Sequence, residues 1–179
     1  MVTSVIGKIF LEAYNEKHNK TYTPKSFFVE VYYPLFFANE KYLIWIQNSA
    51  IVQKLKKGEI PHENNEKIRE EKIVEIKKNK LIDKIESAEF FDASIAVGYR
   101  AGQTCIHNYR MKTEEAYLSW IGAGLGIGVQ GGLTILFSKP DILLDIAEGW
   151  DFYRNYLNTT PRMKGNQINT WNGQWLKRK

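Results

Sequence analysis

Cysteine is almost absent from this chain: Cys105 is the only one. That excludes an internal disulfide framework and any cysteine-rich zinc module, and it points to a reducing compartment. Histidine is nearly as scarce. His18, His62 and His107 are far apart, so a histidine-based metal centre would need long-range convergence that no spacing announces. The residues five before them are Ala13, Lys57 and Gly102, so an Arg-x-x-x-x-His ribonuclease signature is missing too. Five prolines, with 44% hydrophobic and 13% aromatic residues, exclude a disordered, collagen-like or low-complexity polymer. The opening apolar run is broken by Lys8 and Glu12 before a signal-peptide core forms, so no secretion signal is expected and a cytoplasmic protein is. Finally, carboxylates are missing from the last stretch. Between Phe152 and Lys179 the charged residues are Arg154, Arg162, Lys164, Lys177, Arg178 and Lys179, six cations and no anion. Taking these six from the net charge of +5 leaves residues 1–151 at −1, so the basicity is local.

What is present, over 179 residues, suffices for one globular domain or a domain with an appendage. Val5, Ile9, Phe10, Ala13 and Tyr14 give residues 3–18 the spacing of a short amphipathic helix. Thr23-Pro24 offers a helix start, and Pro34 should end or kink the aromatic-rich segment that follows. Residues 39–55 read as a mostly buried helix and 56–61 as a loop. From Glu63 to Ser87 no glycine or proline intervenes. Val74, Leu81 and Ile85 share a narrow face there, with Glu63/Lys67, Glu66/Arg69 and Glu75/Lys78 as opposite-charge neighbours. Residues 93–99 and 103–109 read as a hairpin, and Thr113-Glu114-Glu115 as the start of a short helix through Trp120. Ser138 reads as the cap of a helix with Pro140 and Asp141 in its first turn. Its core face carries Leu143, Ile146, Ala147, Trp150, Tyr153 and Leu157. The tail from Thr159 onward shows no periodicity and reads as loop.

Ala116 to Ser138 is an uncharged run of 23 residues, long enough to span a bilayer as a helix. Its six glycines argue against a helix, and the alternation of Gly122, Gly124, Gly126 and Gly128 with Ala123, Leu125 and Ile127 has the period of a strand that lets another backbone approach. A buried strand or glycine-packed hairpin is expected, with a membrane or oligomer contact as the alternative. Gly126-x-Gly128-x-x-Gly131 matches the dinucleotide fingerprint in letters but runs into a strand-like segment instead of a helix. Pro140-Asp141 lacks the following E-x-K of a nuclease. Asp141, Asp145 and Glu148 share a helix face and could gather a hard cation, or simply form a solvated acidic face. Cys105 and His107, two apart on a strand, suggest a thiolate–imidazole pair no more strongly than chance.

The C-terminal constellation is the most informative. Arg154, Arg162, Lys164 and Lys177 can neutralise phosphates, Trp171 and Trp175 can stack on bases, and Asn166, Gln167 and Asn172 can read base edges or hold the loop. The competing explanation is a tail that wraps back through its tryptophans. Ser119-Trp-Ile-Gly-Ala-Gly-Leu-Gly and Lys164-Gly-Asn-Gln-Ile-Asn-Thr-Trp-Asn-Gly-Gln-Trp-Leu resemble bacterial proteins associated with CRISPR and related phage-defence loci, over Ala116 to Leu176. The resemblance implies an effector subunit or accessory protein and carries over no functional residue. The sequence thus leads to an α+β protein. A helical part, 1–90, packs on a small mixed or antiparallel sheet with a C-terminal core helix in 91–179, the two forming one compact unit. The expected function is non-enzymatic nucleic-acid binding, with no catalytic residue, metal or cofactor. The alternatives are a membrane-associated oligomeric accessory protein using residues 116–138, and a divergent metal-dependent nuclease.

Overall fold

A computed structural model describes residues 2–38, 55–86, 112–129, 133–163 and 165–179. The expected helix over 39–55, but for Leu55, and the expected hairpin with Cys105 and His107 lie outside the described residues. Helix α1 spans Val2–His18, with Lys17 in its last turn, where a cation suits the exposed carbonyls. Its buried face is Ser4, Ile6, Gly7, Phe10 and Leu11, one residue round from the face the spacing predicts, and Val5 is exposed. The shift has a physical cause in α5, Thr113–Gly124, which lies against this helix. A Cβ on Gly7 would stand 2.0 Å from the Leu118 carbonyl oxygen, and one on Gly122 would stand 1.9 Å from that of Thr3. The Thr3 and Ser119 hydroxyls close the same seam at 2.7 Å. Small residues here let two helix backbones meet, so the face that carries them must turn inward.

Helix α2, Pro24–Phe27, begins as its sequence indicates. The Thr23 hydroxyl accepts from the Ser26 amide, and the Ser26 hydroxyl accepts from the Thr23 amide. Pro34 does not end the segment. The turn before it, Phe28–Tyr32, is a π-helix in which the Tyr33 amide donates to the Phe28 carbonyl, and α3 continues over Tyr33–Phe36. The widened turn accommodates the proline ring, which would otherwise press on the preceding turn of an α-helix. It also aims Phe27, Phe28, Tyr32, Phe36 and Phe37 into the core.

Helix α4, Glu66–Glu86, buries Leu81 and Ile85, with Val74 half-buried, as the narrow apolar seam predicts. Its ion pairs differ from the neighbours expected along the helix. Lys72 reaches Glu63 and Lys80 reaches Glu59, each at 2.7 Å, while Glu86 pairs with Lys25 at 2.6 Å. The core draws on both the 1–90 and the 91–179 parts. Phe10 and Tyr32 meet Trp150 at ring distances of 5.7 and 5.8 Å, and Phe28 meets Tyr117 at 5.2 Å. The Tyr32 hydroxyl donates to the Trp120 carbonyl at 2.6 Å, and burial raises its pKa far above the ordinary phenol value.

Residues 116–138 form neither one strand nor one membrane helix. Helix α5 runs through Gly122 to Gly124, and two short strands follow, β1 at Ile127–Gly128 and β2 at Thr134–Ile135, paired antiparallel with Ile127 opposite Ile135. Close backbone approach accounts for Gly122, where it occurs between helices, and for Gly128, whereas Gly124 and Gly126 make room for the Tyr32 and Thr134 side chains. Among the described residues no helix is long and apolar enough to cross a membrane. The α+β class holds coarsely, since the chain is helix-dominated with one two-stranded sheet among the described residues. That sheet is not what the N-terminal part packs on. Its contacts are with the last helix: a Cβ on Gly128 would meet Asn169 and Thr170 at 3.3 Å.

Candidate nucleic-acid interface

Helix α6, Pro140–Thr159, opens with Pro140 in its first turn; its cap is Lys139, without a side-chain hydrogen bond, instead of Ser138. Leu143, Ile146, Trp150, Tyr153 and Leu157 are buried along one face as their spacing predicts. The opposite side is less ordinary. Phe152 and Tyr156, one turn apart, are 56% and 45% exposed.

The tail expected to be a loop is helix α7, Ile168–Arg178, entered by a short 3-10 turn at Gly165–Gln167. Ile168, Trp171, Asn172, Trp175 and Leu176 stand at i, i+3, i+4, i+7 and i+8, which is the amphipathic helix pattern once Asn172 is counted inward. Asn172 is 0% exposed and donates to the carbonyls of Gly124 at 2.9 Å and Gly126 at 2.8 Å. Those carbonyls lie where α5 ends and have no helical partner, so the carboxamide caps α5 from a distance. Of the two roles expected of Asn172, reading a base edge or holding the loop, this burial agrees with the second, since a side chain sealed in this way reads no base edge.

Helix α7 runs antiparallel to α6 and lies flat on it. The Trp171 indole donates to the Gly149 carbonyl at 2.9 Å, and the Trp175 indole donates to that of Asp145 at 2.8 Å. Gly149 makes the approach possible, since a Cβ there would fall 2.7 Å from Trp175 Cγ. Both indoles are half-buried, each with a ring of α6 beside it. Tyr156 stacks on Trp171 at 5.6 Å and 26°, Phe152 stacks on Trp175 at 4.8 Å and 28°, and the two indoles are 6.4 Å apart at 17°. Four aromatic rings thus form a continuous strip, two of them strongly exposed. Phe152 and Tyr156 were not singled out from sequence. The available signal was two large aromatics on the polar side of an otherwise regular helix.

The cations divide into two groups. Lys179 bonds Asp145 and Glu148, and Glu148 also accepts from Lys17 at 2.6 Å. Hydrogen bonds from Lys17 and then Lys179 hold the Glu148 carboxyl down at about 2, and Asp145 with Glu148 raises the Lys179 ammonium. Two of the three carboxylates expected to gather a metal, Asp145 and Glu148, therefore hold lysines instead, and no metal-binding group of three such side chains occurs among the described residues. Arg154, half-buried, donates to the Pro34 carbonyl and so ties α6 to α3. Arg162, Lys177 and Arg178 are exposed and make no ion pair among the described residues. Gln167 is exposed at the α6–α7 turn; Lys164 and the Asn166 side chain lie outside the described residues.

The dinucleotide fingerprint has the wrong context. Gly126 and Gly128 follow a helix and enter a strand, the reverse of the strand-to-helix order a pyrophosphate needs. The arrangement can stack flat rings and neutralise anionic groups along one outer face. No family model, no curated protein and no solved structure matches this chain.

Proposed function

We propose that the protein binds nucleic acid through the outer face of α6 and α7, as a non-catalytic subunit or accessory protein of a bacterial defence-type ribonucleoprotein. The observation that supports this most is the exposure of Phe152 and Tyr156 in stack with Trp175 and Trp171, flanked by Arg162 on one side and by Lys177 and Arg178 on the other. Exposed rings cost free energy in water and gain it when a base covers them, and unpaired cations gain by releasing the counterions of a phosphate chain. The assembly context rests on the resemblance of residues 116–176 to defence-locus proteins. Roles within the site follow burial: Arg162, Lys177 and Arg178 contact phosphate, the aromatic strip takes bases, and Asn172 and Arg154 hold the scaffold. Fluorescence anisotropy of labelled oligonucleotides against salt is the test. Three phosphate contacts predict that log K falls with log salt at a slope of about −2 to −3. Replacing Arg162, Lys177 and Arg178 by Gln should flatten it by most of that amount. An undetectable or salt-independent association would remove the proposal.

A second reading is favoured by the β1–β2 hairpin. One face rests on α7 through Gly128 and Thr134, whereas Val129, Leu133, Ile135 and Phe137 are exposed, Leu133 at 69%. No charged residue interrupts residues 116–138, so the strand edge lacks the charges that usually prevent pairing. This favours an accessory protein that self-associates or rests on a membrane through the hairpin. Leu133→Lys with Ile135→Lys should abolish any concentration-dependent dimer on a sizing column and any flotation with vesicles. An untreated protein that is monomeric and stays with the soluble fraction would eliminate this reading.

A further inference from the structure

The exposed rings are placed for a particular form of nucleic acid. We infer that the ligand is a single strand, with two consecutive unpaired bases laid on Phe152 and Tyr156. This inference rests on the nucleic-acid reading of the same face. On a helix, residues four apart have Cβ atoms about 5–6 Å apart. A duplex advances about 3.4 Å per base and keeps each base face covered by its neighbours. Rings a full helical turn apart can therefore be met only by bases whose stack has been opened, one to each ring.

The two platforms are rigid before any ligand arrives. Phe152 is backed by Trp175 at 4.8 Å, and Tyr156 by Trp171 at 5.6 Å. Both indoles are fixed to α6 by their Nε1–H hydrogen bonds to the Asp145 and Gly149 carbonyls. The stacking surface is thus pre-organised, and little side-chain freedom is lost on binding.

Charge follows the same line. Because the helices are antiparallel, Arg162 lies past the Tyr156 end of the strip, and Lys177 and Arg178 lie past the Trp175 end. Helix α7 is 11 residues long. At about 1.5 Å per residue it reaches roughly 16 Å, the span of two to three extended nucleotides. Two carboxylates beside the strip are neutralised. Asp145 and Glu148 hold Lys179.

The test compares four probes of about eight nucleotides on the full chain: oligo(U), oligo(dT), an abasic strand of the same charge, and a paired duplex. Base-bearing single strands should bind on the order of 100-fold tighter than the abasic strand and the duplex. The ratio of oligo(U) to oligo(dT) then distinguishes RNA from DNA. Phe152→Ala with Tyr156→Ala should remove that advantage, a loss on the order of 100-fold for the single strands. Abasic and duplex binding should be unchanged, and Phe152→Tyr with Tyr156→Phe should restore the preference. The comparison of probes on the unaltered chain stands even where the alanine variant fails to fold. Equal affinity for base-bearing, abasic and duplex probes overturns the inference and leaves electrostatic binding in place. No association with any probe overturns both.

Discussion

Gly149→Ala separates the tertiary account of the C-terminal helix from a local one. Within α6 alone the substitution should help, because alanine is favoured over glycine in a helix interior by about 1 kcal/mol. The structure sets a larger effect against it. The new Cβ would stand 2.7 Å from Trp175 Cγ, 2.8 Å from Cδ1 and 3.0 Å from Cδ2, so the indole must leave its seat. Its hydrogen bond to the Asp145 carbonyl, 2.8 Å long, goes with it, and Phe152 loses its stacking partner. A half-buried indole covers on the order of 100 Å2, worth roughly 2.5 kcal/mol at the usual coefficient. The hydrogen bond contributes about 1 kcal/mol more. Set against the helix gain, the balance is a net destabilisation of about 2–3 kcal/mol, concentrated at the α6–α7 contact. Thermal unfolding by circular dichroism should show a midpoint lower by several degrees, at about 2–4 °C per kcal/mol for a chain of this size. Tryptophan emission should shift to the red at temperatures where the rest of the fold is intact. A variant as stable as the parent, or about 1 kcal/mol more stable with unchanged emission, would refute the reasoning.

Gly122→Ala should be worse, because the group it meets is the Thr3 main-chain oxygen at 1.9 Å and α1 as a whole must withdraw; we expect a loss of at least about 3 kcal/mol in urea unfolding. Asn172→Ala leaves the Gly124 and Gly126 carbonyls buried without their donor, which should cost about 2–4 kcal/mol in the same assay and leave α5 less protected against amide exchange at its end. The pH dependence has a definite sign. The Glu148 carboxyl lies near 2 in the folded protein, below its ordinary 4.5, so its pairing with Lys17 and Lys179 is intact above about 4.5 and is lost as pH falls towards 2. The pair is well exposed, so the midpoint should fall only modestly over that window. Glu148→Gln should remove this contribution to the slope, and an unchanged slope would show that the pairing has no effect on stability.

Elements whose stability comes from their own residues were legible in the sequence. The Thr23-Pro24 start, the seam of Leu81 and Ile85, and the core face from Leu143 to Leu157 all match, because capping and helical periodicity are local properties. The errors have a common origin. The inward turn of α1 and the helix through Gly122 are each decided by a neighbour: the α5 backbone and the α1 backbone. For the site, the cations and tryptophans were visible as a charge and aromatic bias. Which of them face solvent was not, because Trp171, Trp175, Asn172, Arg154 and Lys179 are all assigned by partners on other elements.

By itself the sequence determined that the basic excess lies in the last 28 residues, that no disulfide forms within the chain, and that several helices bury apolar stripes. Composition and period suffice for those properties. Tertiary structure decided that the tail is a helix and that its asparagine is core. It also decided that Phe152 and Tyr156, instead of the indoles, form the outermost rings. A segment with Asn169, Thr170, Asn172 and Gly173 has little helical preference of its own. It becomes a helix because Gly149 leaves room for an indole, and because two uncapped carbonyls at the end of α5 need the donor that Asn172 brings.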